Sequence, residues 1–139
     1  MAYRIEKDFL GEKQIPADAY YGVQTLRGKE NFYITGIPMG SEPFFVKALG
    51  YVKKAAALAN RDLGVLDARV ANAIVGACDR LIAGEMCDQF VTDFIQGGAG
   101  TSTNMNANEV IANMALESLG HKKGEYQHVS PNDHVIFGQ

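Results

Sequence analysis

The sequence has few cysteines, no long apolar run and no concentration of positive charge. Its two cysteines, Cys78 and Cys87, have a spacing that fits neither a zinc knuckle nor a CxxC redox pair. No apolar run reaches the roughly 20 residues that a membrane-spanning helix requires. No charged and then apolar leader opens the chain, so a signal peptide is not expected. Lysine and arginine are scattered, which argues against a nucleic-acid-binding surface.

What is present is the composition of an ordinary globular domain. Hydrophobic residues make up 47% of the 139 residues, charged residues 21%, and the net charge is -3. This length is sufficient for one domain with a hydrophobic core. Cys78 falls within an apolar helical pattern, which indicates a buried thiol in a reducing compartment. We therefore expect a cytoplasmic protein.

Glycine and proline divide the chain into an irregular first part and a helical second part. They recur at short intervals through residues 1–40, which predicts an extended arm with short strands or turns and no helix. Residues 41–120 carry apolar residues at helical spacing and predict three helices. Residues 121–139 form a polar loop followed by a short apolar stretch. The predicted fold class is mainly α, with an N-terminal arm of extended or short-strand structure.

The helix boundaries follow from capping signals. The first helix is expected to begin at Ser41-Glu42-Pro43 and to stop near Gly64, with Phe44, Ala48 and Val52 on its apolar side and Lys53-Lys54 on a solvated face. The second helix is expected to be capped by Asp67 and to end at Gly84. The third runs to about Leu119, with Asn106 and Glu109 at the spacing of a capping box at its start.

The most informative segment is the glycine-rich run from Gly97 to Asn108, which leads into the third helix. Glycine backbone can approach a ligand closely, and a helix start presents unpaired N–H groups and partial positive charge. Such a combination binds phosphate or carboxylate groups. The run lacks the ending of a P-loop and the third glycine of a dinucleotide fingerprint, so a small anion is favoured over a nucleotide. A tight glycine turn that merely caps a helix is the alternative.

Other candidate ligand residues are weak. His121, His128 and His134 do not pair at helical spacing and no cysteine or acid completes a ligand set, so no metal site is predicted. Asp88 and Asp93 could form a carboxylate pair, but a solvated edge is the favoured interpretation.

Several recognisable segments are spread over essentially the whole chain, at residues 4–8, 21–25, 30–32, 53–56, 97–113 and 131–135. Taken in order, these segments resemble the aspartate ammonia-lyases (aspartases) of the aspartase/fumarase superfamily. Residues 95–100, Tyr21 and residues 123–127 favour an aspartase over a class II fumarase. The arginine and histidine that give fumarases a second anion site are replaced here by Gln127 and Ser130.

The resemblance implies a lyase that converts L-aspartate to fumarate and ammonia by anti-elimination, and a homotetramer in which three subunits contribute to each active site. It implies that Thr101 donates its hydroxyl to a substrate carboxylate, flanked by the backbone of Ala99 and Gly100. Asn104 is a further candidate, with helix capping or interhelical bonding as its alternative. Some family members respond to divalent metal ions, but the sequence predicts no resident cofactor.

The resemblance also predicts that the chain is an N-terminal fragment, since family members are several-fold longer. The serine base and a substrate-binding segment are expected beyond Gln139, so residues 1–139 form one N-terminal lyase domain without a catalytic base. One departure is Ile136, where the family usually has asparagine. The alternatives left open are a class II fumarase fragment and a non-catalytic anion-binding or assembly domain.

Overall fold

The computed structural model describes residues 1–135, and within them the fold is mainly helical, as predicted. The elements in chain order are β1 (Tyr3–Asp8), β2 (Gly11–Pro16), α1 (Val23–Asn31), α2 (Pro43–Asp62), α3 (Ala68–Ile82) and α4 (Thr101–Ser118). Short 3₁₀ turns lie at Met39–Ser41, Cys87–Gln89 and Gly98–Gly100, and one π-helical turn spans Pro131–Val135.

The N-terminal arm contains both the predicted strands and a helix that was not predicted. β1 and β2 form an antiparallel hairpin in which Tyr3 pairs with Pro16 and Asp8 with Gly11. The expectation of no helix in residues 1–40 is wrong, because α1 occupies nine of them. A helix of this length is unstable alone and depends on tertiary contacts.

At the start of α1, such contacts come from two carboxylates outside the helix. The residue before the helix is Gly22, which has no side chain to cap the first turn. Instead, Glu6 Oε1 accepts a hydrogen bond from the Val23 N–H at 3.1 Å, and Glu109 Oε1 accepts one from the Thr25 N–H at 3.1 Å. Carboxylates stabilise a helix N-terminus through its unpaired N–H groups and partial positive charge. The start of α1 is therefore specified from a distance, with no local signal.

The two helices α2 and α3 pack along each other. Pro43 opens α2, Asp67 Oδ2 accepts from the Val70 N–H at 3.1 Å to cap α3, and Gly64 and Gly84 end the two helices with positive φ, all as predicted. The predicted apolar side of α2 is wrong. Phe44 is 80% exposed and Val52 63% exposed. The buried residues are Val46, Gly50, Lys53 and Ala57.

Small residues explain that choice of face. A Cβ on Gly50 would lie 3.1–3.2 Å from Ile82, from the Cys78 carbonyl and from Leu81, so the absence of a side chain lets the backbones of α2 and α3 approach closely. The face of α2 that packs on α3 is the one in which Gly50 permits this close approach. Phe44, Phe45, Tyr51 and Val52 are left on the surface, whereas Val46 is buried and Leu49 packs against the core.

The helix α4 runs through the centre of the described residues. Every residue from Met105 to Leu116 is buried, and α1, α3 and the Pro131–Val135 turn pack around it. It begins at Thr101, so the expected capping box is wrong: Asn106 and Glu109 lie inside the helix and are buried. They bond other segments instead of their own helix start.

The segment after α4 folds back on it. Gly120 ends the helix with φ +84°, as expected, and Val129, Pro131 and Val135 are buried against the core. Ser130 Oγ accepts hydrogen bonds from the Asn132 and Asp133 N–H groups at 3.2 and 3.0 Å, which caps the π-helical turn. Ile136 lies outside the described residues. The predicted division into one domain that leads into a further helical domain stays a prediction.

Candidate functional site

The glycine loop before α4 has an unusual backbone conformation. Gly98, Ala99 and Gly100 follow one another at φ +66°, +53° and +92°, in the left-handed region that side chains disfavour. Gly100 has open space around it, so its conformation and not its surroundings requires glycine. Thr101 returns to right-handed values at φ -55° and ψ -43°. A left-handed residue followed by a right-handed one is a backbone pattern that can turn successive N–H groups toward an anion.

Two side chains of the segment satisfy part of the α4 start. Gln96 Oε1 accepts a hydrogen bond from the Thr103 N–H at 2.7 Å, and Gln96 Nε2 donates to Thr103 Oγ1 and, at 3.2 Å, to the Asp93 carbonyl. The Thr101 hydroxyl donates to the Gly98 carbonyl at 2.7 Å. A carboxylate that accepts a hydrogen bond from the Thr101 hydroxyl must therefore replace the Gly98 carbonyl as its acceptor.

The predicted site residues open onto two separate grooves. Ala99, Gly100 and Asn104 line a groove of about 590 Å³ together with Ile95, Gln96 and apolar residues of α2. Thr101, whose side chain is exposed, lines a different groove of about 420 Å³ beside Arg27 and the hairpin tip. The structure thus brings three of the four candidates together and turns the fourth toward α1. Their roles in substrate binding stay predictions.

A buried lysine stands behind the first groove. Lys53 is 5% exposed, and its Nζ donates to Asn104 Oδ1 at 2.7 Å. The expectation that Lys53 lies on a solvated face is wrong, because it occupies the buried stripe of α2 with Gly50 and Ala57. Burial lowers the pKa of Lys53. Lys53 was missed, although its spacing from the small residues of that stripe could have revealed it.

Asp93 is likewise buried, so the expectation of a solvated edge is wrong for this residue. It is 5% exposed and accepts hydrogen bonds from residues 34–36 and from the Ile95 N–H. Burial acts to raise its pKa, but the hydrogen bonds from Ile95, Thr35 and Gly36 outweigh burial and lower the pKa to about 2. Asp88, by contrast, is exposed, as expected.

A second buried polar cluster joins β1, α1 and α4. Glu6 Oε1 accepts from the Tyr126 hydroxyl at 2.8 Å, while Glu6 Oε2 pairs with Arg4 at 2.7 Å. Glu109 is 1% exposed and its Oε2 has no hydrogen-bond partner among the described residues. Burial, with the nearby Glu6 charge, raises the pKa of Glu109 to about 8 against the backbone donors at the start of α1. Burial thus favours the protonated, neutral form of this glutamate.

Residues 1–135 contain no group of three or more histidine, cysteine or acidic side chains arranged to hold a metal ion. None of the helices in this range has the length and apolarity to cross a bilayer. The absence of a resident cofactor remains a prediction.

Curated proteins similar to this chain include several aspartate ammonia-lyases. The enzyme from a Bacillus species is 62% identical over 136 residues, which are 98% of this chain and 29% of that protein. The enzyme from Helicobacter pylori strain J99 is 60% identical over the same shares. That from Bacillus subtilis is 61% identical over 99% of this chain and 28% of its own length. The chain thus spans less than a third of these relatives.

Solved structures with a similar fold include a fumarate lyase:delta crystallin from Brucella melitensis, with a TM-score of 0.97 and 54% identity over 99% of this chain and 32% of that one. A class II fumarase from Schistosoma mansoni has a TM-score of 0.91 and 36% identity over 99% of this chain and 29% of its own. The sequence model of a lyase family matches residues 11–139. With nearly its whole length matched in this way, the chain belongs to that lyase family.

Proposed function

We propose that the chain is the N-terminal part of an aspartate ammonia-lyase that converts L-aspartate to fumarate and ammonia. The observation that carries the proposal is 57–62% identity to aspartate ammonia-lyases over at least 95% of the chain. The fumarase of known structure is less similar, at 36%. Substrate specificity in a lyase depends on individual polar contacts, so the more similar group supplies the better hypothesis for the substrate.

The proposed chemistry is an anti-elimination. A base removes a proton from the carbon next to the β-carboxylate, and the negative charge that develops on this carboxylate requires hydrogen-bond donors aimed at it. We assign this task to the hydroxyl of Thr101, and we assign the backbone at Ala99 and Gly100 and the amide of Asn104, which line the other groove, to further contacts with the rest of the dicarboxylate. The base is a serine expected beyond residue 139, so the 139-residue chain is expected to be inactive.

The donors at the loop suit a carboxylate ligand. Thr101 Oγ1 donates to the Gly98 carbonyl at 2.7 Å, and a charged carboxylate is a stronger acceptor than this neutral carbonyl. Lys53 Nζ binds Asn104 Oδ1 and brings positive charge to the back of the groove that Ala99 and Gly100 line. A dicarboxylate is negatively charged, so the positive charge of Lys53 attracts it to this groove.

The surface of α2 supports the proposal of a homotetramer. Phe44, Tyr51 and Val52 are 80%, 61% and 63% exposed on one helix whose other side packs on α3. Exposed apolar patches of this kind mark surfaces that other protein segments cover.

Both cysteines are free thiols, which suits the reducing cytoplasm, where we place the enzyme.

The first test is an activity assay of the full-length protein. Fumarate formed from L-aspartate is followed by ultraviolet absorbance, with L-malate as the alternative substrate. Turnover of aspartate without turnover of malate is expected; the reverse would identify a fumarase, and no turnover of either would favour a non-catalytic domain. The purified 139-residue chain is expected to show no activity.

The second test addresses Thr101. In the full-length enzyme, Thr101→Val removes the donor while conserving shape and is expected to lower kcat/KM for aspartate by about 10²–10³-fold, the usual effect of losing one such donor. Thr101→Ser conserves the hydroxyl and serves as the control, with most activity retained. A valine variant as active as the wild type would remove Thr101 from the site.

A further inference from the structure

The carboxylate of Asp93 connects two segments that are far apart in the sequence. Its Oδ2 accepts hydrogen bonds from the backbone N–H groups of Ile34, Thr35 and Gly36 at 3.1, 3.0 and 2.8 Å. Its Oδ1 accepts from the Thr35 hydroxyl at 2.8 Å and from the Ile95 N–H at 2.8 Å. One buried side chain thus holds a turn of the N-terminal arm against the segment that leads to the glycine loop.

That segment forms one wall of the larger groove. Ile95 and Gln96 follow Asp93 closely and line the groove together with Ala99 and Gly100. Gln96 carries the connection to the start of α4, because it bonds both the Asp93 carbonyl and the Thr103 N–H. The groove wall is therefore anchored at one end by the Asp93 carboxylate and at the other by the first turn of α4.

The turn held by Asp93 also reaches the glycine loop from outside. Phe32 precedes the turn, and a Cβ on Gly97 would lie 2.9 Å from its ring, so the ring and the Gly97 backbone are in direct contact. Backbone pairing of Met39 with Thr92 and of Phe94 with Ile37 runs beside the carboxylate but includes none of residues 95–100. The position of residues 95–97, which lead into the glycine loop, thus depends on the hydrogen bonds of Asp93.

We propose that Asp93 is a positioning residue, which fixes residues 34–36 against residues 95–97 and so sets the shape of the groove at the glycine loop. The consequence for turnover rests on the proposed lyase function, whereas the effect on the loop does not. Because its pKa is about 2, Asp93 is an anion across the working pH range, and all of its partners are donors. Charge-assisted hydrogen bonds are stronger than neutral ones, which suits an anchor.

The test uses the full-length protein and an isosteric change. Asp93→Asn replaces one acceptor oxygen by an NH₂ group that faces N–H donors, whichever way the amide is turned. Asp88→Asn makes the same chemical change at an exposed aspartate five residues earlier and is the matched control. Thr35→Val removes the hydroxyl that donates to Asp93 and accepts from the Ile37 N–H, and Thr35→Ser conserves both bonds. Amide hydrogen exchange is measured by mass spectrometry on peptides that cover residues 34–36 and 95–103, together with KM and kcat for aspartate.

The expected result for Asp93→Asn is exchange about tenfold faster in both peptides, the effect of losing one hydrogen bond to a charged group. The KM for aspartate is expected to rise, at a temperature where circular dichroism shows an intact fold. Asp88→Asn and Thr35→Ser should match the wild type, and Thr35→Val should show a smaller change in the same direction as Asp93→Asn.

Three outcomes overturn the proposal. Exchange that quickens only at residues 34–36, or nowhere, would show that Asp93 does not position the loop. If Asp93→Asn does not fold, wild-type exchange at residues 95–103 in Thr35→Val leads to the same conclusion. A looser loop with an unchanged KM would remove the link to substrate binding. A wild type that does not turn over aspartate, with a looser loop in Asp93→Asn, would instead reject the proposed lyase function and leave the positioning role intact.

Discussion

Replacing Glu109 by glutamine is expected to change how stability depends on pH. Glu109 is buried between α1 and α4, and burial raises its pKa from the ordinary 4.5 to about 8. The folded chain therefore keeps a proton that the unfolded chain releases above pH 4.5. Because the unfolded state binds fewer protons in this window, the free energy of unfolding falls as the pH rises from 4.5 to 8 and levels off above.

The magnitude follows from the difference between the two pKa values. Each unit of difference in pKa corresponds to about 1.4 kcal/mol in the free energy of unfolding. Glu109 therefore lowers this free energy by up to about 5 kcal/mol between the two ends of the pH window. Glutamine cannot ionise, so its side chain stays neutral at every pH, as the protonated carboxyl does below its pKa. Glu109→Gln should equal the wild type in stability near pH 4.5 and exceed it progressively toward pH 8.

The assay is urea denaturation followed by circular dichroism at pH 5, 6.5, 8 and 9, with the difference between variant and wild type taken at each pH. Glu117→Gln, an exposed position on the same helix, is the control and should parallel the wild type. A difference between Glu109→Gln and the wild type that stays constant over this range would show that Glu109 is already ionised in the folded protein. That result would refute the assignment of a raised pKa to burial.

Three further substitutions or modifications test other parts of the structure. Gly22→Ala should destabilise the fold by about 1–3 kcal/mol, as overpacking in a core does, because its Cβ would collide with Glu109 Oε2 and lie 2.5 Å from Glu6 Oε1 and the Tyr126 hydroxyl. Gly76→Ala, in open space on α3, should stabilise the fold by up to about 1 kcal/mol, and equal denaturation midpoints for the two variants would contradict the packing. Gly100→Ala should cost about 1–2 kcal/mol from its φ of +92° alone, and an unchanged thermal midpoint would show that the loop adopts another conformation. Iodoacetamide at pH 8 should modify Cys87 and spare Cys78, whose burial raises its pKa to about 12; mass spectrometry locates the label, and rapid labelling of Cys78 would mean that the α2–α3 core opens.

The helices whose ends carry local signals were predictable, and those whose ends depend on other segments were not. Asp67, Gly64, Gly84 and Gly120 act through their own backbone neighbours, so their roles could be inferred from sequence. The start of α1 depends on carboxylates 17 and 84 residues away. No local pattern contains that information.

The candidate site divides in the same way. The glycine loop was evident from its composition, and the structure gives Gly98, Ala99 and Gly100 left-handed backbone. The split of Thr101 from Asn104 could not be predicted, because residues three apart on a helix are neighbours and the two grooves are defined by other elements, Arg27 and the hairpin tip beside Thr101 and α2 beside Asn104. Asp93 was not predictable, since its partners are mostly backbone N–H groups 57–59 residues away, which no residue type reveals.

The asparagines at the centre of α4 have a consequence for how this sequence can vary. Asn106 accepts from the Val91 N–H and donates to the Gln89 carbonyl, and Asn113 accepts from the Gly124 N–H and donates to the Tyr20 carbonyl. All four of these bonds are made to the main chain, which every residue type except proline provides in the same form. Drift in the identity of Gln89, Val91 or Tyr20 leaves these bonds intact, whereas exchange of Asn106 breaks two bonds at once and exchange of Asn113 breaks three, the third being its bond to the Tyr126 hydroxyl. The bonds that fix these loops therefore restrict substitution of the asparagines in α4 and not of the loop residues.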